Sequence, residues 1–336
     1  MHRRRLLTGL SAFGLAGSLP RRAAAGEAAA EAAGEADFPE PGRPIRFIVP
    51  FPPGGTSDLR ARQVSAAIEQ AAGWRIIVEN RPGASGTIGS AAAIREAADG
   101  HTLLLGTIGT LAINPHLLPN QPYDVLRDLQ PITQFSRSVS LLMAHRQAGI
   151  ANLPELEQRV RAGGPLAFAS TGNATIGHMV AEIYQRRAAL PLTHVPYKGT
   201  APAVQDFASG QVPLLIETPS AVWPLLQSGA AVPLAVTSAS RMPRLPAVPT
   251  FVEQGYPDMV FDTWQGVVTR RGLPQSRLQT LHRRFVAALR REDVVRSHEE
   301  QANVVVAESP EAFERVIARE TALWRRVVRE TDAKFG

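Results

Sequence analysis

A chain of 336 residues, 44% of them hydrophobic, can bury a large core and normally divides into two domains. It contains no cysteine, which excludes disulfides, thiolate metal sites and cysteine nucleophiles. Five arginines within the first 25 residues account for most of the formal charge of +6, so the basic balance is not the footprint of a nucleic-acid-binding protein.

Residues 1–25 have the features of an export signal. A basic start precedes an apolar stretch from Leu6 to Leu19 and a small-residue site at 23–25. Residues 3–7, RRRLL, resemble a twin-arginine signal but carry an extra arginine and lack phenylalanine, so both export routes stay open. The apolar stretch is too short and glycine-rich for a membrane anchor, and no later segment offers about 20 uninterrupted apolar residues. We therefore expect a cleaved signal and a soluble mature protein in the periplasm.

Residues 26–42 are rich in alanine and glutamate and predict a disordered leader. After it, short β-type runs alternate with longer helical periods, a pattern typical of an α/β fold with mostly parallel sheets. Strands are predicted at 45–50, 75–80, 102–107, 132–136, 140–145, 166–170, 192–197, 212–217 and 232–237. Helices are predicted at 57–72, 86–97, 153–161, 174–189, 200–209, 219–228, 249–254, 274–291 and 309–331.

The junction at residues 47–58, FIVPFPPGGTSD, joins a buried strand to a glycine-rich turn and a helix start. Its prolines end the strand because each lacks an amide donor. Gly54 and Gly55 let the backbone turn sharply, and one of residues 56–58 can cap the helix. Such a turn points free backbone N–H groups into a crevice at the positive end of a helix dipole, which suits an anionic ligand. A PGG turn alone fits an ordinary strand–turn–helix connection equally well.

Two more glycine-rich turns follow predicted strands, where ligand loops lie in parallel sheets. Residues 106–110 offer small side chains and hydroxyls, which suit a small polar ligand or a tight turn satisfied by its own hydroxyls. Ser170, Thr171 and Asn173 lie beside a helix start and form a second turn suited to an anion. Two such turns that face each other would hold both ends of a dicarboxylate.

A fourth turn spans residues 195–200. Here Tyr197 can form a wall of the cleft, and the amide of Gly199 starts the next helix. Lys198 either adds positive charge to the site or is solvated, as a lysine beside a turn usually is.

Six segments of the chain, taken together and in order, carry a family resemblance. They are VENRPGASGTIGSAAA (78–93), DGHTLLLGTIGTLAINP (99–115), PYDVLRDLQPIT (122–133), ASTGNATIGHMVAEIY (169–184), HVPYKGTAPAVQDFASGQV (194–212) and LAVTSASRMPRLPAVPTFVEQGYP (234–257). They resemble the Bug family, the periplasmic solute receptors of tripartite tricarboxylate transporters. The resemblance runs from about residue 43 to about residue 330.

This resemblance implies a two-lobed fold like that of periplasmic binding proteins, with the ligand cleft between the lobes. One lobe would comprise residues 43–140 together with 262–336, and the other residues 141–261. The chain would cross between the lobes near Ser138 and again near Phe261.

The resemblance also implies roles for residues in the first two loops. In the family, the first loop cradles a carboxylate with backbone N–H groups and an aromatic wall, and this role matches Phe51, Gly54, Gly55 and Thr56. Asp58 would either cap the helix or touch the ligand. The family commonly has a threonine and an asparagine in the second loop, and the matching positions are Thr107, Thr110 and Asn114.

The chain departs from the family pattern after Gly210-Gln211-Val212. Members often carry an aspartate, a second acidic residue and an asparagine in this segment, whereas this chain has Pro213 and then Glu217-Thr218. A carboxylate at Glu217 would repel an anionic solute or accept a hydrogen bond from a ligand ammonium. Residues 262–268, DTWQGVV, also differ from the usual apolar form and put Trp264 and Gln265 at the lobe junction.

The leading hypothesis is a monomeric binding protein without cofactor or metal, which captures a small organic carboxylate for membrane permease subunits and binds no nucleic acid. A sensing subunit of a signalling system would use the same receptor chemistry. A serine hydrolase is the third hypothesis, because residues 83–87, GASGT, approach a nucleophile elbow around Ser85. The second flanking glycine is replaced by threonine, so the residues favour a receptor over an enzyme.

Overall fold

The computed structural model describes residues 38–118 and 121–331 of the chain. Within them, the strands form two sheets flanked by helices. The first sheet contains β1 (Ile45–Val49), β2 (Ile76–Asn80), β3 (Thr102–Thr107), β4 (Leu129–Val139), β10 (Asp262–Arg270) and β11 (Val304–Val305). Its order is β11-β4-β10-β3-β1-β2. Strand β1 is parallel to β2 and β3, whereas β10 runs antiparallel between β3 and β4.

The second sheet contains β5 (Leu141–His145), β6 (Leu166–Ser170), β7 (Leu192–Pro196), β8 (Leu214–Glu217) and β9 (Ala231–Val236). Its order is β7-β6-β8-β5-β9. Strand β6 is parallel to β7 and β8, and β5 is antiparallel to β8 and β9.

The helices of the described residues cover the faces of the two sheets. They are α1 (Thr56–Ala72), α2 (Thr87–Arg95), α3 (Asn114–Leu117), α4 (Val125–Asp128), α5 (Leu153–Gly163), α6 (Ile176–Ala188), α7 (Thr200–Ala208), α8 (Pro219–Gln227), α9 (Gln275–Leu289), α10 (Glu292–Glu300) and α11 (Pro310–Thr331). A π-helical turn, Gly109–Ile113, leads directly into α3.

The predicted α/β class and the two-lobed architecture are confirmed, and strands β1–β9 lie where the sequence predicts them. The sheets are mixed, however, and not mostly parallel. The reason is that β4, β5 and β10, which adjoin the crossings between the two sheets, do not belong to βαβ units, so each pairs antiparallel with its neighbours. The exact lobe boundaries stay a prediction.

Several elements differ from the sequence prediction. Strand β10 was not predicted, although it lies in the middle of the first sheet, and neither were β11 and helices α3, α4 and α10. The helix predicted at 249–254 is wrong, because Pro249 and Gly255 bound a segment with room for only one 3-10 turn, Val252–Gln254.

The two connections between the sheets lie side by side, held by Thr237. Its hydroxyl accepts a hydrogen bond from the Ser140 amide at 3.0 Å and donates to the Phe261 carbonyl oxygen at 2.7 Å. The Thr237 backbone also bonds to both residues. Because Ser140 follows β4 and Phe261 precedes β10, this fully buried side chain ties together the two crossing points of the chain.

Aromatic side chains form the centre of the first lobe. Phe47 of β1, Phe135 of β4 and Phe285 of α9 are fully buried and in mutual contact, with ring centroids 5.7–6.0 Å apart. Such packing fixes the end of β1, from which the first loop emerges.

The packed chain begins earlier than the sequence predicts. Phe38 is 5% exposed and makes edge-to-face contacts with Trp74 and His101, so the prediction of a disordered leader is wrong for its last residues. Burial of an aromatic side chain in an apolar pocket offsets the conformational entropy that is lost when the chain around it becomes ordered. The predicted export signal and the rest of the leader lie outside the described residues.

Candidate functional site

A cavity of about 140 Å³ lies between the two sheets. This volume is below the roughly 300–1,000 Å³ typical of sites for drug-sized ligands, which points to a small ligand. Loops at the ends of β1, β3, β6, β7 and β8 line it, together with part of β10. Both lobes therefore contribute to one site.

Four helices begin at this cavity. The lining includes the first residues or the preceding cap positions of α1, α6, α7 and α8, namely Gly55, Thr175, Gly199 and Thr218. Within the described structure, no side chain caps any of these four N-termini. The first amides of a helix have no intrahelical acceptor, so the positive ends of four helix dipoles converge on this space.

The first loop owes its shape to Gly54 and Asp58. Gly54 has a φ of +80°, a conformation that favours glycine, and its amide donates to the Asp58 carboxylate at 2.9 Å. Arg62 and Asn80 also donate to this carboxylate, and hydrogen bonds from them and from Gly54 hold the pKa of Asp58 below its usual value against the effect of burial. Asp58 thus stabilises the loop from outside the cavity lining, while Gly55 and Thr56 line the cavity.

The second loop forms a tight turn satisfied by its own hydroxyls, which is one of the two alternatives that the sequence predicts. The Thr107 amide donates to the Thr110 hydroxyl at 3.0 Å, and the Thr110 amide donates to the Thr107 hydroxyl at 3.2 Å. Thr110 is fully buried, so only Thr107 of this pair lines the cavity.

Asn114 supports the site from behind. Its side-chain amide donates to the backbone carbonyl of Ser85 at 2.8 Å. Ser85 has a φ of +53°, in the left-handed region that a non-glycine residue rarely adopts, and this bond helps to hold it there. Ser85 itself lines the cavity.

The third loop rests on two stacked imidazoles, of which His178 is buried and His194 is half-buried. The Ser170 hydroxyl lies 2.7 Å from Nε2 of His194, whose ring stacks on that of His178 at a centroid distance of 3.7 Å. His178 Nδ1 accepts from the Ala174 amide at 3.2 Å. Burial first, and then the charge of His178, lower the pKa of His194 to about 4. Ser170 is fully buried, and Thr171 is the predicted residue of this loop that lines the cavity.

The fourth loop contributes Lys198 and Gly199 to the cavity. Gly199 has a φ of +113°, and a Cβ there would lie 3.2 Å from Cδ of Pro52 in the first loop, so the two loops are in close approach across the cleft. Tyr197 points elsewhere, because its hydroxyl donates to the Asp206 carboxylate at 2.8 Å.

Glu217 lies at the end of β8 and lines the cavity. One carboxylate oxygen accepts from the Thr218 amide at 2.7 Å. Burial raises the pKa of Glu217, with the bonds from Thr218 acting in the opposite direction.

A direct hydrogen bond joins the two lobes at this site. The Ser85 hydroxyl donates to the Asn173 backbone oxygen at 2.7 Å. At another point of the lining, a Cβ on Gly55 would lie 3.7 Å from Oγ1 of Thr200 in the other lobe. The lobes are therefore in contact around the cavity.

The structure brings some predicted site residues together at the cavity and places others around it. Those that line it are Phe51, Gly55, Thr56, Thr107, Thr171, Lys198, Gly199 and Glu217. Those outside its lining are Gly54, Asp58, Thr110, Asn114, Ser170, Asn173 and Tyr197. Several of the second group orient the first through the hydrogen bonds described above.

Other lining residues were not among the predicted site residues. They include Ser57, Ser85, Thr175, Thr218 and Gln265. Ser57, Thr175 and Thr218 sit within one residue of a helix start, so the rule that helix N-termini offer amides and hydroxyls could have found them. Gln265, which lies on β10, donates to the Ser57 hydroxyl at 3.1 Å. Because β10 was not predicted, nothing in the sequence prediction placed Gln265 among the site residues.

Within residues 38–118 and 121–331, no hydrogen bond joins Ser85 to a histidine, and the Ser170–His194 pair has its serine fully buried. In the same residues, no group of three or more histidine, cysteine, aspartate or glutamate side chains could hold a metal ion.

The comparisons with known proteins agree with this geometry. The family model described as "Tripartite tricarboxylate transporter family receptor" matches residues 60–333. Protein BugT of Bordetella pertussis is 37% identical over 297 residues, which cover 88% of this chain and 91% of that protein. The chain belongs to the tripartite tricarboxylate transporter receptor family.

Several solved structures are also similar to the chain over most of its length. R. palustris Rpa4515 with adipate superposes with a TM-score of 0.82 at 31% identity, covering 87% of this chain and 98% of that one. MatC from Rhodopseudomonas palustris with bound malate gives 0.81 at 28% identity, covering 86% and 99%. The periplasmic binding protein BugD gives 0.83 at 27% identity, covering 88% and 99%.

Membership carries several properties to the chain. It is a periplasmic solute-binding receptor of the TctC or Bug type and not an enzyme, and the family implies a carboxylate ligand and a transport context. Among the described residues, no helix is both long and apolar enough to span a membrane.

Proposed function

We propose that this receptor is exported to the periplasm, captures a small organic carboxylate as a monomer, and delivers it to the membrane permease subunits of a tripartite tricarboxylate-type transporter. One observation carries the proposal, namely the four helix N-termini, without side-chain caps, that meet at a cavity between two lobes. A carboxylate accepts hydrogen bonds from such amides and gains from the helix dipoles.

The composition of the cavity supports capture without chemistry. Its lining consists mainly of hydroxyl, glycine and apolar residues, with Lys198 as a positive charge beside the fourth loop. Phe51 and Trp264 supply aromatic surface for the carbon skeleton of an acid. The adipate and malate named for two related structures are small acids of this class.

The proposed capture step is closure of the lobes about the two crossing points beside Thr237. A hinge formed by two adjacent connections lets the lobes move as bodies and buries a ligand between them. The bond from Ser85 to Asn173 then belongs to the closed, ligand-holding form.

A thermal-shift screen of the purified mature protein against mono-, di- and tricarboxylic acids tests the proposal. An acid present at 100 times its Kd stabilises the folded state by about 2.7 kcal/mol, which raises the melting temperature by several degrees. Native mass spectrometry of the same sample reports a co-purified acid and the oligomeric state. A panel in which no carboxylate raises the melting temperature contradicts the proposed function.

Transport is tested separately. Deletion of the gene is expected to abolish uptake of the identified acid by cells, and the intact gene restores it. Normal uptake in the deletion strain would contradict delivery to a permease.

A further inference from the structure

The cavity is lined by two ionisable side chains of opposite charge. Among the described residues that line it, only Lys198 and Glu217 can carry a charge near neutral pH. A site shaped only for dianions would place positive groups at both ends of the ligand, whereas this site combines amide N–H groups and one lysine with one carboxylate.

Glu217 is a partly buried carboxylate without a salt-bridge partner among the described residues. It accepts a hydrogen bond from the amide of the next residue, Thr218, at 2.7 Å. Within residues 38–118 and 121–331, no arginine, lysine or histidine forms an ion pair with it, whereas Glu79, Glu253 and Glu314 have such pairs. Removing a carboxylate from water without a counter-charge costs free energy, and a positive charge on a bound ligand would offset that cost.

The position of Glu217 places it beside the ligand. It lies at the end of β8 and lines the cavity. Strand β5 fixes it in register, with Leu141 opposite Glu217. Lys198 lines the same cavity but forms no ion pair with Glu217 among the described residues, so a positive group of the ligand can take that place.

We propose that Glu217 holds the protonated amine of the bound acid, so that the ligand is a small amino-acid-like zwitterion whose carboxylate lies at the helix N-termini. This inference rests on the proposed function and narrows its substrate class. The adipate and malate named for two related structures carry no amine, so an amine-bearing ligand would differ from both.

The test uses matched pairs of probes that differ by the amine alone: L-aspartate and succinate, L-glutamate and glutarate, L-alanine and propionate, and L-leucine and 4-methylpentanoate. Isothermal titration calorimetry at pH 7.5 gives Kd for each. For at least one pair, the amino acid is expected to bind at least 10-fold more tightly than its amine-free partner, because only the amine offers a cation to the carboxylate.

Two variants locate the effect. Glu217→Gln keeps the shape and removes the charge, so it is expected to weaken binding of the preferred amino acid at least 10-fold and to leave or improve binding of the amine-free partner. Glu69→Gln makes the same change at an exposed site on α1 outside the cavity lining, and no change in either affinity is expected.

The pH dependence separates the proposal from its main rival, in which a protonated Glu217 donates to a second ligand carboxylate. Under the proposal, binding of the amino acid weakens when the pH falls from 7.5 to 5. Tighter binding of a dicarboxylate than of its amine-bearing partner in the wild type, strengthening as the pH falls, would overturn the proposal and leave carboxylate capture intact. This wild-type comparison does not depend on the folding of any variant. If no probe of either kind binds, the proposed function fails and this inference fails with it.

Discussion

The Ser85 hydroxyl donates to the Asn173 carbonyl oxygen at 2.7 Å, and this bond spans the two lobes at the edge of the cavity. Asn114 donates to the Ser85 carbonyl oxygen and helps to hold the Ser85 backbone at a φ of +53°. The strained backbone of Ser85 thus directs its hydroxyl to the opposite lobe, where the bond to Asn173 stabilises the closed form.

Ser85→Ala is expected to weaken ligand binding about fivefold, because one neutral hydrogen bond contributes about 1 kcal/mol. The loss should appear in the dissociation rate, since the bond belongs to the closed form, and stopped-flow fluorescence measures it. Ser228→Ala, which removes an exposed hydroxyl bonded to Leu225 within its own helix end, is the control. Unchanged dissociation from Ser85→Ala would show that this bond does not hold the lobes together.

Gly55→Val is expected to abolish binding, with at least a 100-fold rise in Kd, and to leave the protein folded. The φ of Gly55 is −80°, so a larger residue fits the backbone, and its Cβ would lie at an ordinary 3.7 Å from Oγ1 of Thr200. The two γ-methyl groups would then occupy the space between the loop and the opposite lobe. Calorimetry gives the affinity, and circular dichroism checks the fold.

Gly163→Val is the matched control for that variant, because a Cβ at Gly163 meets nothing within 4 Å. It should bind like the wild type. Normal binding by Gly55→Val would place the ligand away from the first loop.

Thr237→Val is expected to destabilise the protein by about 2 kcal/mol. It leaves the Ser140 amide and the Phe261 carbonyl without their side-chain partner in a fully buried position. Thr237→Ser keeps the hydroxyl and should cost less, through loss of one methyl group. Urea unfolding compares the two, and a larger loss for serine than for valine would mean that the methyl group, not the hydrogen bonds, matters at this crossing.

The stacked imidazoles predict a pH dependence of stability. Burial lowers the pKa of His194 from 6.5 to about 4, so the folded state disfavours protonation that the unfolded chain accepts. The contribution of His194 to the free energy of unfolding is therefore fully present above about pH 6.5 and is lost as the pH falls toward 4. After allowance for its partial exposure, this loss amounts to about 2 kcal/mol. Other histidines with lowered pKa values, among them His298, add to the same trend.

His194→Gln should therefore lose less free energy of unfolding between pH 7.5 and pH 4.5 than the wild type. Urea unfolding at both pH values measures the difference. An equal loss in both proteins would assign the pH dependence entirely to the remaining groups.

The sequence predicts the scaffold well because its signals are local. Apolar runs followed by glycine and proline mark strands β1–β9, and the loops after them contain the residues that meet at the cavity. Strand β10 has no such signal, since Asp262, Gln265 and Gly266 interrupt its apolar run, and its burial comes from neighbours distant in the sequence.

Side-chain direction within each loop is less predictable. Thr107 and Thr110 are equivalent in composition, yet one lines the cavity and the other is fully buried beneath it. Tyr197 turns toward Asp206, and Asp58 turns back to the Gly54 amide, because these partners become available only in the folded loop and helix. Turn geometry and tertiary partners, which no local pattern encodes, decide which members of a loop reach the ligand.

A crystal structure of the protein with its tightest-binding acid tests the central claim most directly. The account predicts a carboxylate in the cavity between the lobes, with its oxygens about 2.7–3.2 Å from backbone nitrogens at the starts of α1, α6, α7 or α8. An acid bound outside this cavity, or held by side chains with no helix-terminal amide in hydrogen-bond reach, would contradict it.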